Sequence, residues 1–212
     1  AEAGVDELRV LRFDSRLAEL DAGEFIERVL VGSLRAKHVV IGDGFRFGHL
    51  RSGDVERLRR SGRAHGFAVD AVAPRQEGGL PVSSTRVREA LSAGRLDEAQ
   101  ALLGRDFRIS GRVIAGAELG RTLGFRTANM RLHRRVPPVA GIYAVRASGA
   151  GLTRHPGVAS VGTRPTVGGT EWLLETHLFD FEGELYRKRL DVDFIARLRD
   201  EKRLTPESVA QR

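Results

Sequence analysis

The sequence changes character near residue 104, and this change limits the possible folds more than any other feature. Before it, apolar residues at helical spacing alternate with short apolar runs, as at residues 38–41 and 67–72. After it, glycine and proline separate five candidate strands, at residues 107–114, 141–147, 157–161, 173–181 and 190–195. Alternating helices and strands predict a parallel α/β sheet, whereas short strands between Gly and Pro turns predict an antiparallel barrel or sandwich. We therefore predict two domains, residues 1–103 and 104–212.

The first predicted domain has the signals of a partial sheet. Helical spacing over residues 24–34 and 55–64 accompanies only two clear strands, fewer than a doubly wound sheet normally contains. The hydroxyls of residues 83–85 offer N-caps to a further helix. Near the other end of the chain, Thr205 followed by Pro206 predicts the start of a C-terminal helix. The pattern thus predicts an incomplete parallel α/β sheet followed by an antiparallel β-barrel or sandwich with a C-terminal helix.

The composition argues against several classes of protein. There is no Cys, which removes disulfides and thiolate metal sites, and the acidic start lacks the apolar segment of a signal peptide. Every apolar run is far shorter than the roughly 20 residues of a membrane helix. The net charge of +7 invites a nucleic-acid interpretation, but the basic residues are mostly Arg and are dispersed among acidic ones. We expect a cytoplasmic protein that binds small molecules rather than membranes or nucleic acid.

The richest cluster of chemical groups is the segment GAELGRTLGFRTANM, residues 116–130. The groups in it that can bind a phosphate or a metal are Gly116, Gly120, Arg121, Gly124, Thr127 and Asn129. The glycines let backbone N–H groups approach a phosphate, the guanidinium adds fixed positive charge, and the threonine hydroxyl can ligate Mg²⁺. The segment is not a Walker A loop, because it is one residue short and has Arg for Lys. From spacing alone, an ordinary glycine-rich hairpin connection remains the more common explanation.

This segment and four later blocks together resemble the riboflavin kinase family. The segment is similar to that family's ATP-binding loop, G-x-x-x-G-R-x-L-G-F-P-T-A-N. The later blocks follow in the family's order: GIYAV at residues 141–145, VGTRPT at 161–166, LETHLFDF at 174–181 and LRDE at 198–201. The resemblance implies a β-barrel that transfers the γ-phosphoryl group of ATP to the ribityl 5′-hydroxyl of riboflavin. The product would be FMN, and Mg²⁺ would be required.

The resemblance also implies roles for single residues. Glu175 would be the general base for the riboflavin hydroxyl, Thr127 a ligand of Mg²⁺, and Asn129 a bridge between the metal and that hydroxyl. Arg199 and Glu201 would bind the flavin. Each residue has a structural alternative: an Arg-paired Glu within an apolar strand, a half-buried strand Thr, a turn Asn, and a solvated run of charges.

The first half resembles the FMN adenylyltransferase part of bacterial FAD synthetases. Residues 40–48, VIGDGFRFG, match its V-G-x-D-F-R-F-G block imperfectly, with Gly44 in the place of an Asp. Ser84, Thr85 and Arg88 match its S-S-T-x-x-R block, whose members hold ATP phosphates at the start of a helix. The family's G-x-F-D-G-x-H-x-G-H motif is absent from this sequence, so adenylyl transfer by this chain alone is not expected.

Two positions of the kinase blocks depart from the family's pattern. Arg126 stands where the family has the Pro that would stiffen the loop, and Arg187 stands where it often has Gly. We predict a riboflavin kinase module attached to a partial adenylyltransferase domain. The alternatives are a bifunctional enzyme completed by residues outside this chain, a non-catalytic protein that binds flavin or nucleotide, and a basic barrel that binds nucleic acid.

Overall fold

The computed structural model of the chain describes residues 4–114, 127–132, 136–166 and 169–200. The chain divides into two compact units, Ala1–Arg75 and Gln76–Arg212. The sequence predicts a domain boundary between residues 103 and 104, whereas the compact units divide after Arg75. The compact units do not test where the two predicted domains meet, so that boundary stays a prediction. The predicted C-terminal helix after Thr205 lies outside the described residues.

The first unit is a small parallel α/β layer. Its helices are α1 (Ser15–Glu19), α2 (Ala22–Phe25), a π-helix (Ile26–Ser33), a 3₁₀ turn (His49–Arg51) and α3 (Val55–His65). Its strands β1 (His38–Gly42) and β2 (Ala68–Val72) pair in parallel, as the sequence predicts. Asp54 caps α3 by accepting a hydrogen bond from the Arg57 backbone N–H at 2.8 Å, which holds the pKa of that carboxyl below its usual range.

The core of the first unit lies on one face of this sheet. Buried side chains from the helices and from the loop after β1 pack there, namely Ala22, Ile26, Phe47, Leu58 and Phe67. Val40 and Val72 lie on the opposite face and are 63% and 55% exposed. Parallel sheets normally carry packed elements on both faces. In this unit the described residues cover only one face.

The second unit is built around a six-stranded antiparallel sheet in the order β5-β10-β7-β8-β9-β6. Its strands are β5 (Phe107–Arg112), β6 (Thr127–Arg131), β7 (Gly141–Gly149), β8 (Leu152–Thr166), β9 (Gly169–Leu178) and β10 (Arg189–Arg199). Two shorter strands, β3 (Gln76–Glu77) and β4 (Leu80–Pro81), form a hairpin ahead of them. Ile114, just beyond β5, forms a bridge to Asn129 of β6, so the first and last strands of the sheet meet. The sheet therefore curls into an antiparallel half-barrel, which is consistent with the predicted barrel.

Strict alternation along β7 shows how the sequence builds the barrel core. Tyr143, Val145 and Ala147 point inward and are buried, while Ile142 and Arg146 point outward. The Tyr143 ring meets the Phe194 ring edge-on at 5.1 Å, and its hydroxyl donates a hydrogen bond to the Ala140 carbonyl at 2.9 Å. Burial raises the pKa of the Tyr143 hydroxyl, although the nearby Arg197 acts in the opposite direction. An apolar inner face with a polar outer face is the pattern that strand periodicity predicts.

Two helices belong to the barrel's compact unit. They are α4 (Ser84–Ser92) and α5 (Leu96–Leu103), and they contribute Ala90, Leu91, Leu96, Ala99 and Leu102 to the barrel core. Gly94 lies in the turn between them at φ +73°, and a Cβ there would meet the Arg197 side chain at 2.4 Å. The helix pair therefore packs against β10 at a point where only glycine fits. Among the described residues, no helix combines the length and hydropathy needed to span a membrane.

Candidate active site on the outer face of the barrel

Strands β6 and β9 bring together the three residues to which the sequence assigns the reaction. In the antiparallel register of these strands, Asn129 lies opposite Glu175 and Thr127 lies opposite His177. Residues directly opposite each other point to the same face, with Cβ atoms about 4.5–5.5 Å apart. Thr127, Asn129 and Glu175 therefore share one patch of the outer face, as the predicted site requires. Their chemical roles stay predictions.

Asn129 is nearly buried, with 5% of its surface exposed. Its side-chain amide donates hydrogen bonds to the Thr127 carbonyl at 3.2 Å and to the Thr127 hydroxyl at 3.4 Å. These bonds keep both side chains in one arrangement at the start of β6. Asn129 is thus a strand residue, not the turn residue of the structural alternative.

Glu175 is exposed, which corrects the interpretation of it as a carboxylate enclosed by apolar neighbours. Leu174 and Thr176, the residues on either side of it, point to the opposite face and are fully buried. The apolar residues near Glu175 in sequence therefore pack in the core, while its own carboxylate points to solvent. None of the described residues forms an ion pair with Glu175, so this part of the chain does not support a structural Arg–Glu pair.

Both ends of the glycine-rich segment are fixed beside this patch. The Ile114 backbone N–H donates a hydrogen bond to the Asn129 carbonyl at 2.8 Å, and Thr127 begins β6 two residues before Asn129. Ile114 and Thr127, the described residues on either side of the undescribed part of the segment, therefore both lie near the predicted base. The predicted phosphate-binding residues of the segment, Gly116, Gly120, Arg121 and Gly124, lie outside the described residues.

A cavity of about 570 Å³ lies beside Ile114. Arg112, Val113, Ile114, Tyr186 and Arg187 line it. The turn on one side is held by the Arg187 N–H, which donates to the Val113 carbonyl at 2.8 Å. The sequence predicts no site here, because Tyr186 is distant along the chain from Ile114 and only the pairing of β5 with β10 brings them together.

A row of cross-strand partners connects the predicted base to a predicted flavin-binding residue. Glu175 lies opposite Ser160 on β8, Ser160 opposite Ile142 on β7, and Ile142 opposite Arg199 on β10. Three strand spacings separate Glu175 from Arg199, a distance of about 14 Å. The row thus crosses the outer face at right angles to the strands. Glu201 lies outside the described residues.

The predicted nucleotide-binding residues of the first half lie at the start of α4. Ser83 is the N-cap, and its hydroxyl accepts a hydrogen bond from the Arg86 backbone N–H at 3.3 Å. Ser84, Thr85 and Arg88 are exposed on the first turns. Within the described part of the chain, no hydrogen bond or ion pair joins these three to the patch on β6 and β9. They form a separate candidate site.

The Arg86 guanidinium fixes the approach to that helix. It donates hydrogen bonds to the backbone carbonyls of Leu80 and Pro81, both at 2.9 Å, and of Glu77 at 3.3 Å. These bonds tie the β3–β4 hairpin to the first turn of α4. Sequence reasoning did not single out Arg86, since backbone carbonyls leave no mark in the pattern of side chains.

Comparison with models of known protein families shows the family to which this chain belongs. A family model for riboflavin kinase, or flavokinase, matches residues 103–208. The chain belongs to the riboflavin kinase family. A second model, for FAD synthetase, matches residues 1–86. The two matches confirm the resemblances that the sequence blocks carry in both halves of the chain.

Curated relatives with the name bifunctional riboflavin kinase/FMN adenylyltransferase match along nearly the whole chain. The Escherichia coli K12 protein is 48% identical over 203 residues, which is 96% of this chain and 65% of that protein. The Pseudomonas fluorescens protein is 48% identical over 94% of this chain and 64% of its own length. The Haemophilus influenzae protein is 44% identical over 94% and 65%. This chain thus spans just under two thirds of these relatives.

Among solved structures, a crystal structure of a macrolide-efflux protein from Streptococcus pneumoniae is similar. It superposes with a TM-score of 0.73 at 32% sequence identity and covers 99% of this chain and 67% of its own. The name macrolide-efflux protein belongs to that structure and assigns no function to this chain. The similarity extends over both compact units of this chain.

Proposed function

We propose that this chain carries a riboflavin kinase, which transfers the γ-phosphoryl group of ATP to the ribityl 5′-hydroxyl of riboflavin. The products are FMN and ADP. The observation that carries the proposal is the pairing of Asn129 with Glu175, next to Thr127, in a member of this family. The pairing places a carboxylate, an amide and a hydroxyl together beside both ends of the glycine-rich segment.

Glu175 suits the part of general base. Its carboxylate is exposed, so a substrate hydroxyl can reach it without displacing protein groups. Phosphoryl transfer depends mainly on positioning and on stabilising negative charge, so a single base at the attacking hydroxyl is sufficient. The proton of the 5′-hydroxyl passes to the Glu175 carboxylate as the hydroxyl oxygen forms its bond to the γ-phosphorus. The bond between the γ-phosphorus and the bridging oxygen breaks, and ADP leaves with the electron pair.

The residues present fit a magnesium ion shared with the substrate. The Thr127 hydroxyl is an oxygen ligand of the kind Mg²⁺ prefers. Among the described residues, no three acidic or histidine side chains are grouped to hold a metal by themselves. Thr127 would therefore hold Mg²⁺ together with ATP phosphates, with Asn129 keeping the hydroxyl in place. When bound, the ion neutralises part of the phosphate charge.

The remaining predicted contacts are assigned by chemistry. We assign Gly116, Gly120, Arg121 and Gly124 to the ATP phosphates, because backbone N–H groups and a guanidinium suit anions. We assign Arg199 and Glu201 to the flavin, at the other end of the row that starts at Glu175. An elongated substrate with its hydroxyl at one end and its ring at the other matches such a row.

Ser84, Thr85 and Arg88 are assigned to a second nucleotide site of the adenylyltransferase type. Hydroxyls at a capped helix start suit phosphate oxygens. For this chain by itself we propose no adenylyl transfer, since the family's glycine- and histidine-containing motif is absent from its sequence. FAD formed after FMN in the assay below would instead support the bifunctional alternative.

The decisive experiment is ATP-dependent FMN formation, followed by chromatography, with wild type and Glu175→Gln. The wild type should form FMN, and the amide variant should lose at least about a hundredfold in kcat because general bases contribute that much. Glu171→Gln is the matched control: Glu171 is on the same strand and face but pairs with Arg131 at 3.1 Å, so it should keep wild-type activity.

Two results would contradict the proposal. Riboflavin binding without any FMN would favour the non-catalytic alternative. Full activity of the Glu175→Gln variant would remove Glu175 from the reaction.

A further inference from the structure

Glu175 has two polar neighbours in its cross-strand row. Asn129 of β6 lies on one side and Ser160 of β8 on the other. The Asn129 amide is already engaged, because it donates to the Thr127 carbonyl and hydroxyl. A Glu side chain on an open strand surface samples several rotamers, and holding it in one orientation requires a hydrogen-bond donor. Of the two neighbours in the row, Ser160 is the one whose hydroxyl can donate such a bond.

Ser160 has the geometry for this contact. It is half-buried and lies directly opposite Glu175 in the register of β8 and β9. The Cβ atoms of directly opposite residues are about 4.5–5.5 Å apart, within reach of a hydroxyl-to-carboxylate hydrogen bond. Among the described residues no protein group takes up the Ser160 hydroxyl.

We propose that Ser160 is the positioning residue of the reaction: its hydroxyl donates a hydrogen bond to the Glu175 carboxylate and holds it toward the substrate hydroxyl. This inference rests on the proposed riboflavin kinase function. A hydrogen bond from a hydroxyl to a carboxylate is charge-assisted, and it fixes the direction in which the carboxylate points. Ser160 therefore acts through the orientation of Glu175.

The test is the kinetics of Ser160→Ala with ATP and riboflavin. Because hydrogen bonds to charged groups contribute more than neutral ones, kcat should fall about tenfold, while KM for riboflavin changes less than about twofold. Ser160→Thr, which keeps the hydroxyl and suits a strand, should restore kcat.

A matched control separates this effect from a general loss of hydroxyls on the barrel. Ser110→Ala makes the same change on the outer face of β5, at an exposed residue opposite Asp191. It should leave both kcat and KM unchanged. If Thr rescues activity and the Ala variant unfolds in urea like the wild type, misfolding is excluded as the cause.

The outcomes distinguish failure of this inference from failure of the proposed function. Wild-type kcat for Ser160→Ala, with Glu175→Gln inactive, would overturn the role of Ser160 and leave the kinase intact. An equal loss from Ser160→Ala in the Glu175→Gln background would also overturn it, because the hydroxyl would then act independently. No loss in that background, with a tenfold loss in the wild type, is the result expected.

Discussion

At the scale of single residues, the outer face of the barrel shows that charge and exposure follow strand alternation. Glu175 occurs in an apolar stretch, yet it is exposed because both sequence neighbours point inward. A second residue, Arg187, is constrained by its backbone rather than by its side chain. It is an exposed polar residue that the fold holds in an unfavourable backbone conformation. Its φ is +63°, in the left-handed region where glycine is preferred. This conformation explains why the family often has Gly at this position.

Replacing Arg187 with Gly should stabilise the fold. The left-handed conformation costs a residue with a Cβ about 1 kcal/mol, so the free energy of unfolding should rise by up to that amount. Urea unfolding measures it. Arg189→Gly is the control, because Arg189 lies in β10 and glycine inside a strand should destabilise by about 0.5–1 kcal/mol. Equal effects of the two substitutions would rule out backbone strain at Arg187.

At the scale of elements, an ion pair on the outer face joins the strands at one edge of the sheet. The Arg108 guanidinium of β5 donates to both oxygens of Asp193 of β10, from Nε at 2.6 Å and from Nη2 at 3.1 Å. Asp193 is 1% exposed. Arg154 of β8 lies 3.8 Å from the same carboxylate. A buried carboxylate that depends on a neighbouring strand makes the pairing of β5 with β10 sensitive to one residue.

Arg108→Met should destabilise the chain by about 3 kcal/mol, because it leaves the buried Asp193 carboxylate without its main partner. Urea unfolding of this variant and of Arg108→Met/Asp193→Asn checks the reason. The double variant should recover part of the loss, since the amide carries no charge. Arg112→Met, an exposed change on the same strand face, should stay within about 0.5 kcal/mol of wild type. A single variant as stable as this control would contradict the role of the pair.

The elements themselves were largely predictable from local patterns. The strands at residues 38–41 and 67–72, the helix at 55–64 and the five predicted strands of the second half are all observed. Strand β6, which carries Thr127 and Asn129, was not among the predicted strands. The extent of β8 was not predictable, since Pro156 and Pro165 are turn signals but lie within this fifteen-residue strand. A proline can stay in a strand where its missing N–H is not needed for pairing, and pairing is not visible in sequence.

At the scale of the whole molecule, the two units differ in how much core they contain. The core cluster of the second unit has twenty buried residues among those described, and the cluster of the first has five. Among the residues that the structure describes, the second unit also pairs six strands in one sheet, whereas β1 and β2 pair with each other and with no further strand. Local stability follows buried apolar contacts and protected hydrogen bonds.

Amides of β7, β8 and β10 should therefore exchange with solvent hydrogen far more slowly than those of β1 and β2. Hydrogen exchange followed by NMR or mass spectrometry on the full chain measures this difference. We expect at least about tenfold greater protection in the barrel, which corresponds to about 1.4 kcal/mol of local stability. Equal protection would show that the first unit obtains its stability from something other than its own small core.

The sequence by itself determined the change from an α/β pattern to a β-barrel pattern, the family blocks and the identity of the candidate catalytic residues. These are local properties, because alternation, turn residues and motifs are read within a few neighbours. Only the tertiary structure decided that Asn129 and Ser160 flank Glu175, that α4 and α5 pack on the barrel, and that Glu175 is exposed. Strand register joins residues far apart in the chain, and a slip of one residue would turn every side chain to the opposite face. Core packing along the whole strand selects one register, and no local pattern records that choice.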